Sequence, residues 1–198
     1  MKRWRRTLFW KKRLMLKARP HRKAHWRVLR WPLLIGGSVG MILLCAGTLG
    51  YRVNFSASEP LGLWHVQAPF GPIHRGDFVV FCAPVPWTPI LEKGSCPNGA
   101  KPFLKAVAGL PGDRVEASSA GVWINGMRLQ DSEPLQRSLH HDIKLPQWQG
   151  TMMLPRDRYW LYGTGWPRQS FDSRYWGPLP GSQISFVARP VLVWHSSN

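Results

Sequence analysis

Three strings in this chain of 198 residues carry side chains that could do chemistry. They are NFSASEPLGLW from Asn54 to Trp64, FLKAVAGLPGD from Phe103 to Asp113, and SFDSRYWGP from Ser170 to Pro178. A serine in a loop ordinarily satisfies a turn, and a lone lysine is ordinarily a surface residue. Lys105, however, stands beside Leu104, Ala106 and Val107 in an apolar, strand-like run, where its ammonium would be partly desolvated. Burial disfavours the charged form. To act as a base near neutrality, a lysine must drop from about 10.4 by roughly 2 to 3 units, or about 3 to 4 kcal/mol. A neutral lysine can take the proton of a serine hydroxyl, giving nucleophilic catalysis that needs no histidine. The HExxH helix and the glycine-rich phosphate loop are absent from the sequence, so the usual metallopeptidase and nucleotide motifs do not compete with this reading.

The three strings resemble the conserved boxes of the signal peptidase I superfamily of serine-lysine endopeptidases. The run from Lys105 to Asp113 resembles the family's lysine box, and Ser170 to Gly177 resembles its last box, S-x-D-S-R-Y-W-G. Ser56-Ala57-Ser58 has the spacing of the family's S-G-S. Glu59 stands where a methionine usually follows the nucleophile, and Pro60-Leu61-Gly62-Leu63-Trp64 is similar to the conjugative-transfer, TraF-type branch, whose members mature pilin precursors. The resemblance covers most of Val53 to Val187. It implies Ser58 as nucleophile, Lys105 as general base, and Ser56 as a helper of the oxyanion hole beside the Ser58 N–H. Removing one such donor typically costs about 100- to 1000-fold in rate. It further implies Ser170 as the residue that orients the lysine, and Asp172 with Arg174 as a supporting ion pair. Where leader peptidases have G-D-N before the last box, this chain has Gly163-Thr164-Gly165-Trp166-Pro167, and the substrate wall there is expected to differ.

These residues need a β scaffold to position them. Beyond Tyr51 the apolar runs are short: Asp77–Phe81, Val122–Ile124, Arg158–Tyr162, and Ile184–Ala188 followed by Val191–Trp194. Turn residues separate them. Asn125-Gly126 between Trp123-Ile124 and Met127 to Leu129 predicts a hairpin, because a type I′ turn needs positive φ at both central residues. Eighteen Pro, 19 Gly and 12 Trp, with no recurring helical period, exclude an all-helical enzyme. The fold expected is mainly β: a single N-terminal transmembrane helix followed by a signal-peptidase-like all-β catalytic domain. Cys82 and Cys96 are expected to form a disulfide closing the Pro-rich loop from Ala83 to Ser95. A zinc site is the weaker reading, since only two thiols are available and His65 and His74 lack paired ligand spacing. His140-His141-Asp142 reads as a surface loop, and neither metal nor cofactor is expected.

The charge is lopsided. Thirteen of the 27 Lys and Arg precede Trp31 with no acid among them, while the rest of the chain holds 14 bases and all ten acids. A wholly basic nucleic-acid-binding fold is thereby excluded, and no nucleic-acid partner is expected. Residues 32–51 contain no charge, and about 20 apolar residues are what one helix needs to cross a bilayer. A cleaved signal peptide would have an unusually long basic region here. A lipoprotein would need a small residue where Leu44 precedes Cys45. The organisation expected is a basic cytoplasmic arm (1–31), a transmembrane helix (32–51) and a periplasmic peptidase domain (52–198). The N-terminus lies inside by the positive-inside rule, and the membrane is the bacterial inner one. The arm, with Trp4, Leu8, Phe9, Trp10, Leu14, Met15 and Leu16 among its bases, reads equally as an amphipathic helix on anionic lipid or as a solvated arm that fixes topology. Ser58 follows Tyr51 by seven residues, a reach of at most about 25 Å, so the site stays near the headgroups unless the domain carries it away. Phe55, Trp64, Phe70 and Trp87 are candidates either for the membrane interface or for β-core packing.

The function implied is a membrane-anchored serine endopeptidase that removes leader segments from exported precursors. Its partner would be a pilin precursor of a conjugative (type IV secretion) apparatus, matured by hydrolysis or by cyclisation. The alternatives are a general type I signal peptidase for secretory preproteins and a catalytically inactive anchor or assembly subunit. Glu59 in place of methionine, and the short connection from the hairpin to Arg158, argue against the general peptidase.

Overall fold

A computed structural model of the chain describes residues 23–85, 90–139 and 142–194. The amphipathic reading of the basic arm, Trp87, and His140-His141 lie outside these residues. The chain divides into two units at Cys45 and Ala46. Helix α1 runs from Lys23 to Thr48, and its Arg30–Thr48 portion is long and apolar enough to cross a membrane. It stops at Thr48 rather than continuing to Tyr51. Gly50, at φ +87°, supplies the left-handed residue that commonly ends a helix, and its N–H donates back to Gly47 O at 3.3 Å. Tyr51 is already the first residue of a strand.

The second unit is antiparallel β. One sheet is built from β1 (Tyr51–Asn54), β2 (Leu61–Gln67), β3 (Phe78–Phe81), β4 (Phe103–Gly109), β9 (Arg158–Tyr162), β10 (Leu179–Pro180) and β11 (Ile184–Trp194), in the spatial order β1-β2-β11-β3-β4-β9-β10. The other holds β5 (Arg114–Ser118), β6 (Gly121–Ile124), β7 (Met127–Arg128) and β8 (Gly150–Met153), in the order β7-β6-β5-β8. The expected hairpin joins β6 to β7, with Asn125 at φ 52° and Gly126 at φ 81°. The two runs expected at 184–188 and 191–194 form a single strand that pairs first with β3 and then with β2. Its register shifts between Pro190 and Leu192, a bulge where a residue lacking an N–H is tolerated.

Each sheet has its own core. Val79, Phe81, Val107, Leu161, Leu179 and Ile184 form one, and Val115, Ala117, Val122, Ile124, Leu154 and Trp160 the other. Successive side chains of a strand point to opposite faces, so Trp160 and Leu161 on β9 serve different cores. This is why the Arg158–Tyr162 run is apolar without alternation. Trp64 also packs inside, edge-on to Phe78 at 4.8 Å, whereas Phe55 and Phe70 are exposed.

Cys82 and Cys96 are joined by a disulfide. Below the bridge the chain folds back on itself, with Cys96 N–H donating to Ala100 O and Lys101 N–H to Glu92 O. The bridge spans 14 positions, and closing a loop of about 15 residues contributes about 3 kcal/mol in the chain-entropy model. Reduction is expected to lower the urea midpoint of the β domain accordingly, and equal midpoints with and without reductant would contradict this.

Candidate active site

The turn that carries Ser58 connects β1 to β2 and is held by one side chain. Asn54 Nδ2 lies within hydrogen-bond reach of three carbonyls, those of Ser56 (3.0 Å), Glu59 (3.2 Å) and Pro60 (3.0 Å), while Asn54 Oδ1 accepts from Ser56 N–H. Ser56 Oγ and Ser58 Oγ are 3.1 Å apart. Asn54 opens the first string, and the sequence alone assigns it no task. An amide two residues before a serine, at the end of a strand, is the signal that could have shown it.

Lys105 projects from the middle of β4, which lies between β3 and β9. Its register partner on β3 is Val79, and it shares a face with Phe103 and Val107. Only 2% of it is exposed, and Nζ lies 2.7 Å from Ser58 Oγ. Burial pushes the amine below its ordinary pKa; the charges of Glu59 and Asp172 pull it up, and Arg174 adds to the lowering. Serine and lysine are thus within proton-transfer distance, at a place where burial works against the charged amine.

Ser170 is buried beside this pair, but its Oγ has no hydrogen-bond partner, and the bond to Lys105 that would orient the amine is not made. The hydroxyl packs instead against Gly163, where an added Cβ would fall 2.0 Å from Ser170 Oγ. Asp172 and Arg174 do form an ion pair, with 0% and 1% of their side chains exposed. Arg174 Nε donates to Asp172 Oδ1 at 2.8 Å and Nη2 to Oδ2 at 2.9 Å. Asp172 Oδ2 also accepts from Gly163 N–H at 3.0 Å. Gly165 N–H in turn donates to Ser58 O at 3.0 Å. The Gly163–Gly165 turn, expected to alter a substrate wall, lines no part of the cleft described next; it braces the nucleophile turn from behind.

In front of the dyad is a cleft of about 300 Å³ whose lining includes Ser56, Ser58 and Lys105. Ile90, Leu91, Phe103 and Phe171 make much of it apolar, which suits a peptide with small or apolar side chains. Ile90 to Glu92 belong to the disulfide-closed loop. Among the described residues no three His, Cys, Asp or Glu side chains converge as a metal site requires.

The sequence pattern described as signal peptidase, peptidase S26, matches residues 30–194. The chain belongs to that family. Within it, this peptidase is of the TraF type. It is 35% identical to the conjugal transfer protein TraF of Agrobacterium tumefaciens (strain 15955), over 82% of this chain and 94% of that one. It is 34% identical to a plasmid transfer protein TraF of Escherichia coli, over 81% and 93%. A signal peptidase I of Leptolyngbya laminosa is 32% identical over 62% of this chain and 53% of its own. Membership places the chain among a family of serine peptidases. What sequence reasoning missed in this chain is the task of Glu59, read only as a substitution. It is 1% exposed and accepts hydrogen bonds from Ala106 and Thr164, a partnership across 105 positions of sequence that no local pattern announces.

Proposed function

We propose that the protein is a membrane-anchored endopeptidase that matures the pilin precursor of a conjugative apparatus, with Ser58 as nucleophile and Lys105 as general base. The observation that carries this is the 2.7 Å approach of the buried Lys105 Nζ to Ser58 Oγ in the wall of an open cleft. Ser58 Oγ attacks the scissile carbonyl as its proton passes to the neutral amine of Lys105. Ser56 Oγ and the Ser58 N–H stabilise the oxyanion, where charge develops in the transition state. Lys105 then returns the proton to the leaving amine, and an acyl-enzyme on Ser58 remains. Water resolves it to a linear product, or the pilin's own amino terminus resolves it to a ring; both routes share the one acyl-enzyme.

Similarity to the two transfer proteins over most of their length supports conjugation as the setting. Thirteen bases before Trp31 support a cytoplasmic N-terminus, and the Cys82–Cys96 disulfide supports an oxidising, periplasmic location for the β domain. The inner membrane of a bacterium satisfies both.

The test is incubation of the full chain in detergent micelles with a conjugative pilin precursor and, separately, with a secretory preprotein, each product being read by intact mass. Cleavage of the pilin precursor is expected, and a product lighter by one water than the linear peptide identifies ring closure. Cleavage of the preprotein alone would make the protein a general signal peptidase. Cleavage of neither would favour the inactive anchor.

A further inference from the structure

Directly behind the Ser58–Lys105 pair lies a carboxyl group that the reaction as written does not use. Glu59 Oε1 accepts from Ala106 N–H at 3.2 Å and Thr164 N–H at 3.3 Å, and Oε2 accepts from Thr164 Oγ1 at 2.5 Å. Three segments meet on this one side chain: the nucleophile turn, the strand residue that follows Lys105, and the turn after β9. Among the described residues no ion pair includes Glu59. Its only charged influence is Lys105, while Lys105 feels Glu59 from the nucleophile turn and Asp172 and Arg174 from the segment before β10. Burial pushes the Glu59 carboxyl up to about 7, against the pull of Lys105 and of the Thr164 and Ala106 donors.

We propose that Glu59 is a positioning residue: it clamps the Ser58 turn onto the Lys105 strand and, as the buried acid beside Lys105, sets the pH range over which that amine serves as base. A carboxylate next to an ammonium favours the charged amine. Ionised Glu59 therefore holds the proton on Lys105, and neutral Glu59 lets it go. A methionine at this position could supply neither the clamp nor the charge.

The inference rests on Ser58 and Lys105 being the dyad, and the experiment separates the two. Single-turnover cleavage of the pilin precursor is followed from pH 5 to 10 for wild type, Glu59→Gln, Glu59→Met and Ser58→Ala, each in the full chain. Glutamine keeps an oxygen for Ala106 and Thr164 but carries no charge. Its acid limb is expected to move to lower pH by about one unit or more, making it about tenfold faster than wild type on the limb above pH 7, where wild-type Glu59 is ionised, with the two rates converging at lower pH as Glu59 takes up its proton. Methionine removes the clamp as well, so the same displacement is expected with a lower plateau rate. A purely structural role would change the plateau and leave the limb in place. Limbs that coincide with wild type in both Glu59 variants, or that move to higher pH, overturn the inference. Should glutamine prevent folding, methionine, of similar length and with nothing polar to bury, decides alone. Cleavage that survives Ser58→Ala instead overturns the dyad itself, whatever the Glu59 variants do.

Discussion

Replacing Ser58 by Ala, or Lys105 by Met, is expected to lower precursor cleavage by about 10⁴- to 10⁶-fold, the scale on which a nucleophile or its base is lost from a serine peptidase. The two variants differ in what they do to stability, and the difference is diagnostic. Ser58 sits at the cleft with its hydroxyl shared between Ser56 and Lys105, so its loss removes little packing. Lys105 is a fully buried amine whose charged form is penalised by desolvation. A methionine of similar length on the same β4 face, beside Phe103 and Val107, removes that penalty and keeps the volume. The Lys105→Met protein is therefore expected to melt at or above the wild-type temperature while being inactive. The double variant should be no slower than either single one, because the two groups act as a unit. Cleavage by Lys105→Met within about tenfold of wild type would mean that water or another group takes the proton. A melting temperature that falls with activity would mean that the lysine holds structure.

Legibility in the sequence follows the range of the interaction. The Asn125-Gly126 hairpin depends on two adjacent residues, and both φ values are as the turn chemistry demands. Cys82 and Cys96 are the only pair available once Cys45 is assigned to the apolar helix, and they are bonded. The continuity of β11 was not legible, because Pro190 reads as a break and only the bulge against β2 shows that the strand tolerates it. Ser58 and Lys105 lie 47 positions apart; no periodicity relates them, and resemblance alone paired them. The role expected of Ser170 depends on a rotamer, which no string of letters carries, and its hydroxyl is unpartnered. Glu59 was visible as a departure from the family's wording, but its meaning required the turn at Thr164 to be seen against it. Close approach explains the two glycines there: at Gly165 an added Cβ would fall 2.6 Å from Ala57 O.

Breaking the Asp172–Arg174 pair is expected to have the largest effect on stability. Asp172→Ala leaves a guanidinium with 1% exposure facing no counter-charge, a situation that typically costs about 3 to 5 kcal/mol. For a domain of about 150 residues that lowers the melting temperature by roughly 10 °C. Activity should fall with it through connected backbone: Gly163 N–H loses the Asp172 carboxylate, and Gly163 begins the turn whose Gly165 N–H holds Ser58 O. The double variant Asp172→Leu/Arg174→Met separates charge from scaffolding. Replacing both members of a buried pair by apolar residues is often neutral. Here Arg174 Nη2 also donates to Pro167 O at 2.6 Å and Ser170 O at 2.9 Å, and its guanidinium lies 4.9 Å from the centre of the Tyr162 ring. Pro167 O keeps the Ser170 N–H as a donor, but Ser170 O is left without its guanidinium, so recovery should be partial: above Asp172→Ala and below wild type in thermal melts. Full recovery would reduce Arg174 to a counter-ion for Asp172. No recovery at all would show that the guanidinium's bonds to the carbonyls around the last box, rather than the ion pair, hold this side of the site together.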